Sequence, residues 1–131
     1  MFHSVLAKFI STINVANRGY YRTIRVQNNK LVFLIIQILD EYGVIRGYKL
    51  DKYNDKIKIY LKYRSGFSMI FEVKQVSKES KRVYVSLLDL YKLKNKYGKI
   101  FYILSTTKGL LSDDECMRYK IGGEVICKIV L

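Results

Sequence analysis

The chain has 131 residues, half of them hydrophobic, enough to bury a real core in one or two small domains. Its 24 Lys+Arg stand against 11 Asp+Glu, a net charge of +13, and its pI near 9.7 points to nucleic acid ahead of an anionic membrane surface. A single histidine, His3, and two cysteines without C-x-x-C spacing argue against acid–base catalysis and against a zinc or disulfide framework.

The charge is not a tail. Residues 1–66 carry 12 Lys+Arg and 4 acids, a net of +8, and residues 67–131 carry 12 and 7, a net of +5. The longest apolar run, Leu31 to Ile36, is far below the roughly 18 residues of a membrane helix, so no membrane partner is expected. The N-terminus shows neither a secretory segment nor a long presequence. Tyrosines number 12 while proline and tryptophan are absent. That bias, with many Lys, Ile and Asn, suits an AT-rich genome and suggests an organelle.

Taken in chain order, Val5, Phe9 and Ile13 recur with Leu6 and Ile10 at helical spacing over residues 4–14. Asn17-Arg18-Gly19 breaks this helix, and Tyr21 to Val26 alternates as a short strand. Asn28 or Asn29 caps a second helix, Lys30 to Tyr42, closed by Gly43. It is apolar nearly all round and reads as a core helix on a sheet. Val44 to Leu50 and Lys56 to Tyr63 form two strands around the turn Asp51 to Asp55. In the second, Ile57, Ile59 and Leu61 oppose Lys56, Lys58, Tyr60 and Lys62. Those lysines are either a solvated sheet face or a phosphate-contacting one.

Arg64-Ser65-Gly66 is the only plausible boundary, dividing a domain 1–65 from a domain 66–131. Phe67 to Val76 then reads as a strand, Ser77 to Lys81 as a charged turn, and Arg82 to Val85 as another strand. Ser86 with Asp89 caps a helix from Leu87 to about Tyr97, ended by Gly98. Ile100 to Leu104 is a buried strand leading into the polar loop Ser105-Thr106-Thr107-Lys108-Gly109. Ser112 and Glu115 make a capping box for a short helix whose first turn holds Asp113 and Asp114, where the helix dipole favours carboxylates. That position accounts for the acids without a metal. Gly122-Gly123 ends the segment, and Glu124 to Val130 is the last strand. Cys116 and Cys127 read as small buried apolar residues.

No nucleophile or acid–base pair has a positioned partner, so no catalytic residue, cofactor or small-molecule substrate is expected. The loop lacks P-loop spacing. Its hydroxyls could face base edges and 2′-OH groups, with Lys108 on a phosphate and Gly109, Gly122 and Gly123 permitting close approach. The other reading is a tight turn between strand and helix.

Two segments decide between them. S-T-T-K-G-x-x-S-D at Ser105 to Asp113, followed by I-G-G-E-V-I-C at Ile121 to Cys127, resembles the C-terminal signature of the small-subunit ribosomal protein number eight family. Val76-Ser77-Lys78 to Arg82-Val83-Tyr84 resembles an upstream segment of the same family, and the N-terminal pieces follow in order. Lys78-Glu79-Ser80 stands where that family often has Arg-Pro-Gly, and Ser4 to Asn14 keeps the apolar spacing but loses an acid and a basic residue.

The resemblance implies an α+β protein of two small domains, an N-terminal αβαββ domain and a C-terminal, mostly β domain with short helices. It implies a non-enzymatic constituent of the small ribosomal subunit that binds a central-domain helix of small-subunit rRNA, beside neighbouring ribosomal proteins, and aids assembly. Carried over, the RNA-binding residues are Ser105, Thr106, Thr107, Lys108 and Gly109, with Tyr84 packing on a base or sugar. Gly122, Gly123 and Glu124 follow on the adjoining turn, and Lys30, Lys56 and Lys58 are phosphate contacts of the first domain. A mitochondrial ribosome is the expected location, with a plastid or bacterial cytoplasm as alternatives. The rival function is a free RNA-binding module acting on mRNA.

Overall fold

The computed structural model describes residues 2–94 and 99–131. The chain divides into two compact units, the first ending at Phe71 and the second spanning Glu72–Leu131. Both mix helix and strand, an α+β fold.

In the first unit, α1 (Phe2–Arg18) precedes β1 (Thr23–Gln27), α2 (Lys30–Glu41), β2 (Ile45–Asp51) and β3 (Lys56–Leu61). The sheet order is β1-β3-β2 with every pairing antiparallel, so β3 inserts between two strands joined through α2. Alternation in β3 decides the faces: Ile57, Ile59 and Leu61 are buried, and Lys56, Lys58 and Tyr60 are partly exposed. The helices cover the apolar face. Leu6, Phe9, Ile10 and Ile13 of α1 and Val32, Ile35, Ile36 and Leu39 of α2 are buried, and Phe33 meets Tyr48 edge-on at 5.7 Å.

Asn29 is the cap that the two adjacent asparagines left open; its Oδ1 accepts from Leu31 N at 3.0 Å. Gly43, at φ 70°, follows the cap residue Tyr42. Helix α1 runs four residues past the expected Asn14, because buried Asn17 has a partner there: Ser68 Oγ donates to its Oδ1 at 2.9 Å. Lys62 does not extend the lysine row, since β3 ends at Leu61 and the Lys62 ammonium donates to the Gly43 carbonyl at 2.9 Å.

The expected boundary at Arg64-Ser65-Gly66 is a hairpin turn inside the first unit. It joins β4 (Tyr63–Arg64) to β5 (Phe67–Ser68), and Ser65 and Gly66, both at positive φ (53° and 83°), form the turn that a two-residue hairpin favours. The strand expected over Phe67 to Val76 is therefore broken, and only β6 (Glu72–Gln75) joins the second unit's sheet.

The second unit continues with β7 (Tyr84–Val85), α3 (Leu87–Lys94), β8 (Ile100–Thr106), β9 (Gly109–Ser112), α4 (Asp113–Tyr119) and β10 (Gly123–Val130). The sheet order is β6-β10-β8-β9, with β7 also paired to β10. Leu90 of α3, Cys116 of α4, Tyr102 and Leu104 of β8 and Val125 of β10 form one core cluster. The Ser86–Asp89 cap is reciprocal: each backbone N–H donates to the other side chain at 3.2 Å. The expected end of α3 at Tyr97-Gly98 lies outside the described residues.

Ser112 caps α4 by accepting from Glu115 N. Asp113 does more than complement the dipole. It is fully buried, accepts from Tyr102 N at 3.0 Å and has the Lys94 ammonium at 3.6 Å, which links α4 to β8 and α3. Burial raises its carboxyl above the usual range, against the pull of Tyr102 N–H and Lys94. The helix ends at Lys120 in the left-handed region (φ 58°), not at Gly122-Gly123. Strand β7 is shorter than expected because buried Ser77 holds the preceding residue, accepting from Val83 N at 2.9 Å and donating to Val83 O at 3.3 Å.

Ser77→Ala should destabilise the protein by about 1 kcal/mol, since the half-buried Val83 N–H loses its partner while Val83 O still accepts from Val125 N; chemical denaturation measures it. Burial pushes the Cys116 thiol up to about 11 and the Cys127 thiol up to about 12. Both are therefore protonated at neutral pH, and a thiol reagent should label them only after denaturation. Unfolding exposes thiols of ordinary pKa, so their contribution to stability is complete below about pH 9 and lost as pH rises toward 11 to 12.

Candidate nucleic-acid interface

The polar stretch after β8 is a hairpin and not an open loop. Thr106 pairs with Gly109 and Ser105 with Leu110, which leaves Thr107 and Lys108 as the turn. Gly109, at φ 103°, supplies the backbone geometry that closes it. The sequence pattern missed β9 because its only apolar residues, Leu110 and Leu111, are too few to show a period.

The hydroxyls of this stretch divide into two roles. Thr106 Oγ1 donates to Gly109 O at 2.8 Å and accepts from Lys108 N at 3.1 Å, so it braces the turn. Ser105 and Thr107 are exposed, and among the described residues their hydroxyls have no hydrogen-bond partner. The Lys108 ammonium lies 4.6 Å from the centre of the Tyr119 ring on α4, a cation–π contact that restrains a long side chain.

Gly122 and Gly123 serve packing. A Cβ on Gly122 would collide with the Val85 carbonyl oxygen and lie 3.0 Å from Ser86 Cα; one on Gly123 would collide with the Ser105 carbonyl oxygen. The close approach that these two glycines permit is to neighbouring backbone. This contact lets β10 run between β7 and β8, pairing Glu124 with Tyr84 on one side and with Ser105 on the other. Directly opposed residues of antiparallel strands point to the same face. Tyr84, Glu124 and Ser105 therefore form one row, and Tyr84 is 66% exposed.

The Glu124 side chain is only 11% exposed and has Arg82 Nη1 at 3.7 Å from Oε1. Its Oε2 is buried without a hydrogen-bond partner. A buried carboxylate oxygen left in that state costs free energy until a donor reaches it. The row thus offers an aromatic face, an acceptor in need of a donor and the free Ser105 hydroxyl, with the free Thr107 hydroxyl and a held cation on the hairpin turn. Groups of this kind can stack and hydrogen-bond with a ligand.

Lys30, Lys56 and Lys58 belong to the other unit: Lys30 opens α2, while Lys56 and Lys58 stand on the outer face of its sheet. Sequence reasoning missed Arg82 and Tyr119. Each acts through strand pairing or helix placement that no local pattern displays. Among the described residues, no three His, Cys, Asp or Glu gather as metal ligands, and no helix is long and apolar enough to cross a membrane.

Adding a methyl group separates these roles. Gly122→Ala and Gly123→Ala should each destabilise the fold by about 1–3 kcal/mol, because the obstacle is backbone. Gly109→Ala meets nothing within 4 Å and should cost about 1–2 kcal/mol through its backbone conformation alone. Tyr119→Ala should leave stability nearly unchanged and raise the mobility of Lys108, read from side-chain relaxation by NMR.

Comparison with known proteins agrees along the whole length. The family model described as Ribosomal protein S8 matches residues 4–130. The small ribosomal subunit protein uS8 of Nautilia profundicola is 38% identical over 133 residues, covering 98% of this chain and 99% of that protein. The uS8 protein of Syntrophus aciditrophicus is 36% identical over 128 residues, 95% of each chain. The protein uS8m of Acanthamoeba castellanii is 35% identical over 126 residues, 96% of this chain and 98% of its own. A match of this extent means that the chain belongs to the ribosomal protein S8 family.

Proposed function

We propose that this protein is a structural, non-enzymatic constituent of the small ribosomal subunit that binds a helix of small-subunit rRNA and supports its assembly. The observation that carries the reading is the Tyr84–Glu124–Ser105 row with its unpartnered Glu124 oxygen. RNA supplies what that oxygen lacks: a donor from a base edge or a 2′-OH. Tyr84 packs on a base or sugar beside it. Ser105 and Thr107 contribute hydroxyls, and Lys108 a phosphate contact. Gly109, Gly122, Gly123 and Thr106 support this surface by fixing backbone. Lys30, Lys56 and Lys58 add phosphate contacts from the first unit. The AT-biased composition favours a mitochondrial ribosome, and the uS8m relative fits that location.

The protein should sediment with small-subunit particles; finding it mostly outside them would favour the free mRNA-binding module instead. Thr107→Ala should weaken binding to the cognate rRNA helix by about 1 kcal/mol and leave an unrelated duplex unaffected. Thr106→Ala should also lower the unfolding midpoint, because its hydroxyl braces the turn. Lys58→Gln should weaken both RNAs and reduce the salt slope by about one. Equal losses on both RNAs for Thr107→Ala would reduce the hairpin to a purely electrostatic contact.

A further inference from the structure

The first unit carries a second surface that strand register assembles from three separate segments. Arg25 of β1 pairs with Lys58 of β3, and Lys58 pairs with Lys49 of β2. The three cations therefore stand side by side across the outer face of the sheet. Strands lie about 4.8 Å apart and directly opposed side chains come about as close. Like charges in that arrangement repel, and none of the three has an ion pair among the described residues. The row is the edge of a groove of about 490 Å³ also lined by Lys52, Lys56, Tyr53 and Tyr60.

The one carboxylate of the groove, Asp51, offsets this charge only in part: hydrogen bonds from Asn54 and Tyr53, and after them the Arg25 cation, hold its pKa down, and Lys49 and Lys58 have no ion pair among the described residues. Asp51 accepts from Asn54 Nδ2 at 2.9 Å, from Tyr53 N at 3.1 Å and from Asn54 N at 3.3 Å, which hold the β2–β3 turn. Next to the cation row lies a second row, Thr23, Tyr60 and Gly47. Gly47 has no side chain to cover the Tyr60 ring, and nothing stands within 4 Å of where its Cβ would be. Lys58 Nζ sits 5.3 Å from the centre of that ring. Cations flanking a ring with one open neighbour are what a single nucleic-acid strand requires: phosphates on the charges and a base on the ring.

We propose that this groove binds a single-stranded stretch of RNA through its backbone, with Arg25, Lys58 and Lys49 on phosphates and one base stacked on Tyr60. The proposal rests on the RNA-binding reading above and shares Lys56 and Lys58 with it, but Arg25, Lys49 and Tyr60 belong to the groove alone. It predicts sequence-tolerant, salt-sensitive binding, whereas the hairpin surface reads one helix.

The test uses the full chain and a fluorescent oligouridylate of about ten nucleotides, within the usual site size for single strands. Arg25→Gln with Lys49→Gln removes two phosphate contacts and should lower the salt slope by about 1.4, on the order of a twentyfold loss near 0.1 M salt. Tyr60→Leu should weaken binding with the slope unchanged, and ultraviolet crosslinking should map to Tyr60. Thr107→Ala should not affect this probe, so failure of the hairpin reading would appear separately, on the rRNA helix. The double variant should also unfold at a higher midpoint than the parent in low salt, a difference that vanishes in high salt. Oligouridylate binding unchanged by the groove variants, equal loss on Thr107→Ala, or displacement by polyglutamate as effective as by RNA would each overturn the proposal.

Discussion

The second unit depends on how closely β10 passes its neighbours at Gly122 and Gly123. Each glycine faces a backbone carbonyl, of Val85 on one side and of Ser105 on the other, at a distance that excludes any side chain. Because that contact is backbone against backbone, it cannot relax by a rotamer change. It fixes the register of three strands at the point where Tyr84, Glu124 and Ser105 come level. The same register buries Glu124 far enough to leave one of its oxygens without a donor. Packing and the level of the Tyr84–Glu124–Ser105 row are thus set by a single contact.

Around that contact, polar side chains are divided between bracing and display. Thr106 closes the hairpin on itself, Ser77 holds Val83, and Asp113 ties α4 to the Tyr102 backbone and Lys94. With those bonds made internally, Ser105, Thr107 and the Tyr84 ring remain on the surface. A rigid support with a few free donors and acceptors suits a recognition surface, since little has to be ordered on binding. The first unit follows another principle. Its outer sheet face keeps Arg25, Lys58 and Lys49 opposite one another with no ion pair among the described residues, an arrangement that costs free energy through like-charge repulsion.

Much of the fold was legible where hydrophobic period is strong. The alternation of Lys56 to Leu61 gave both the strand and its faces, and the apolar run from Ile100 marked a strand buried on both sides. The caps at Ser86, Asn29 and Ser112 were visible because a side-chain oxygen and its backbone donor lie within three residues. Short elements were not. Strands β4, β5, β7 and β9 hold two to four residues each, too few for any period; β4, β5 and β9 form across tight turns, and β7 exists because of a partner far along the chain, β10. The left-handed residue ending α4 is Lys120, where glycine chemistry had pointed two residues further on.

The candidate site divides along the same line. The sequence by itself determined the two C-terminal segments from which the candidate residues were taken, because those segments are contiguous and their spacing survives without coordinates. It also determined the basic balance. Only the tertiary structure decided the roles. Thr106 and Thr107 are adjacent and chemically alike, yet one hydroxyl faces the turn and the other faces outward. Gly122 and Gly123 sit against backbone contributed by strands roughly 20 to 40 residues earlier in the chain. Arg25, Lys49 and Lys58 become neighbours only through pairing across β3. Local chemistry fixes what a residue can do; long-range strand pairing fixes which groups are left free to do it.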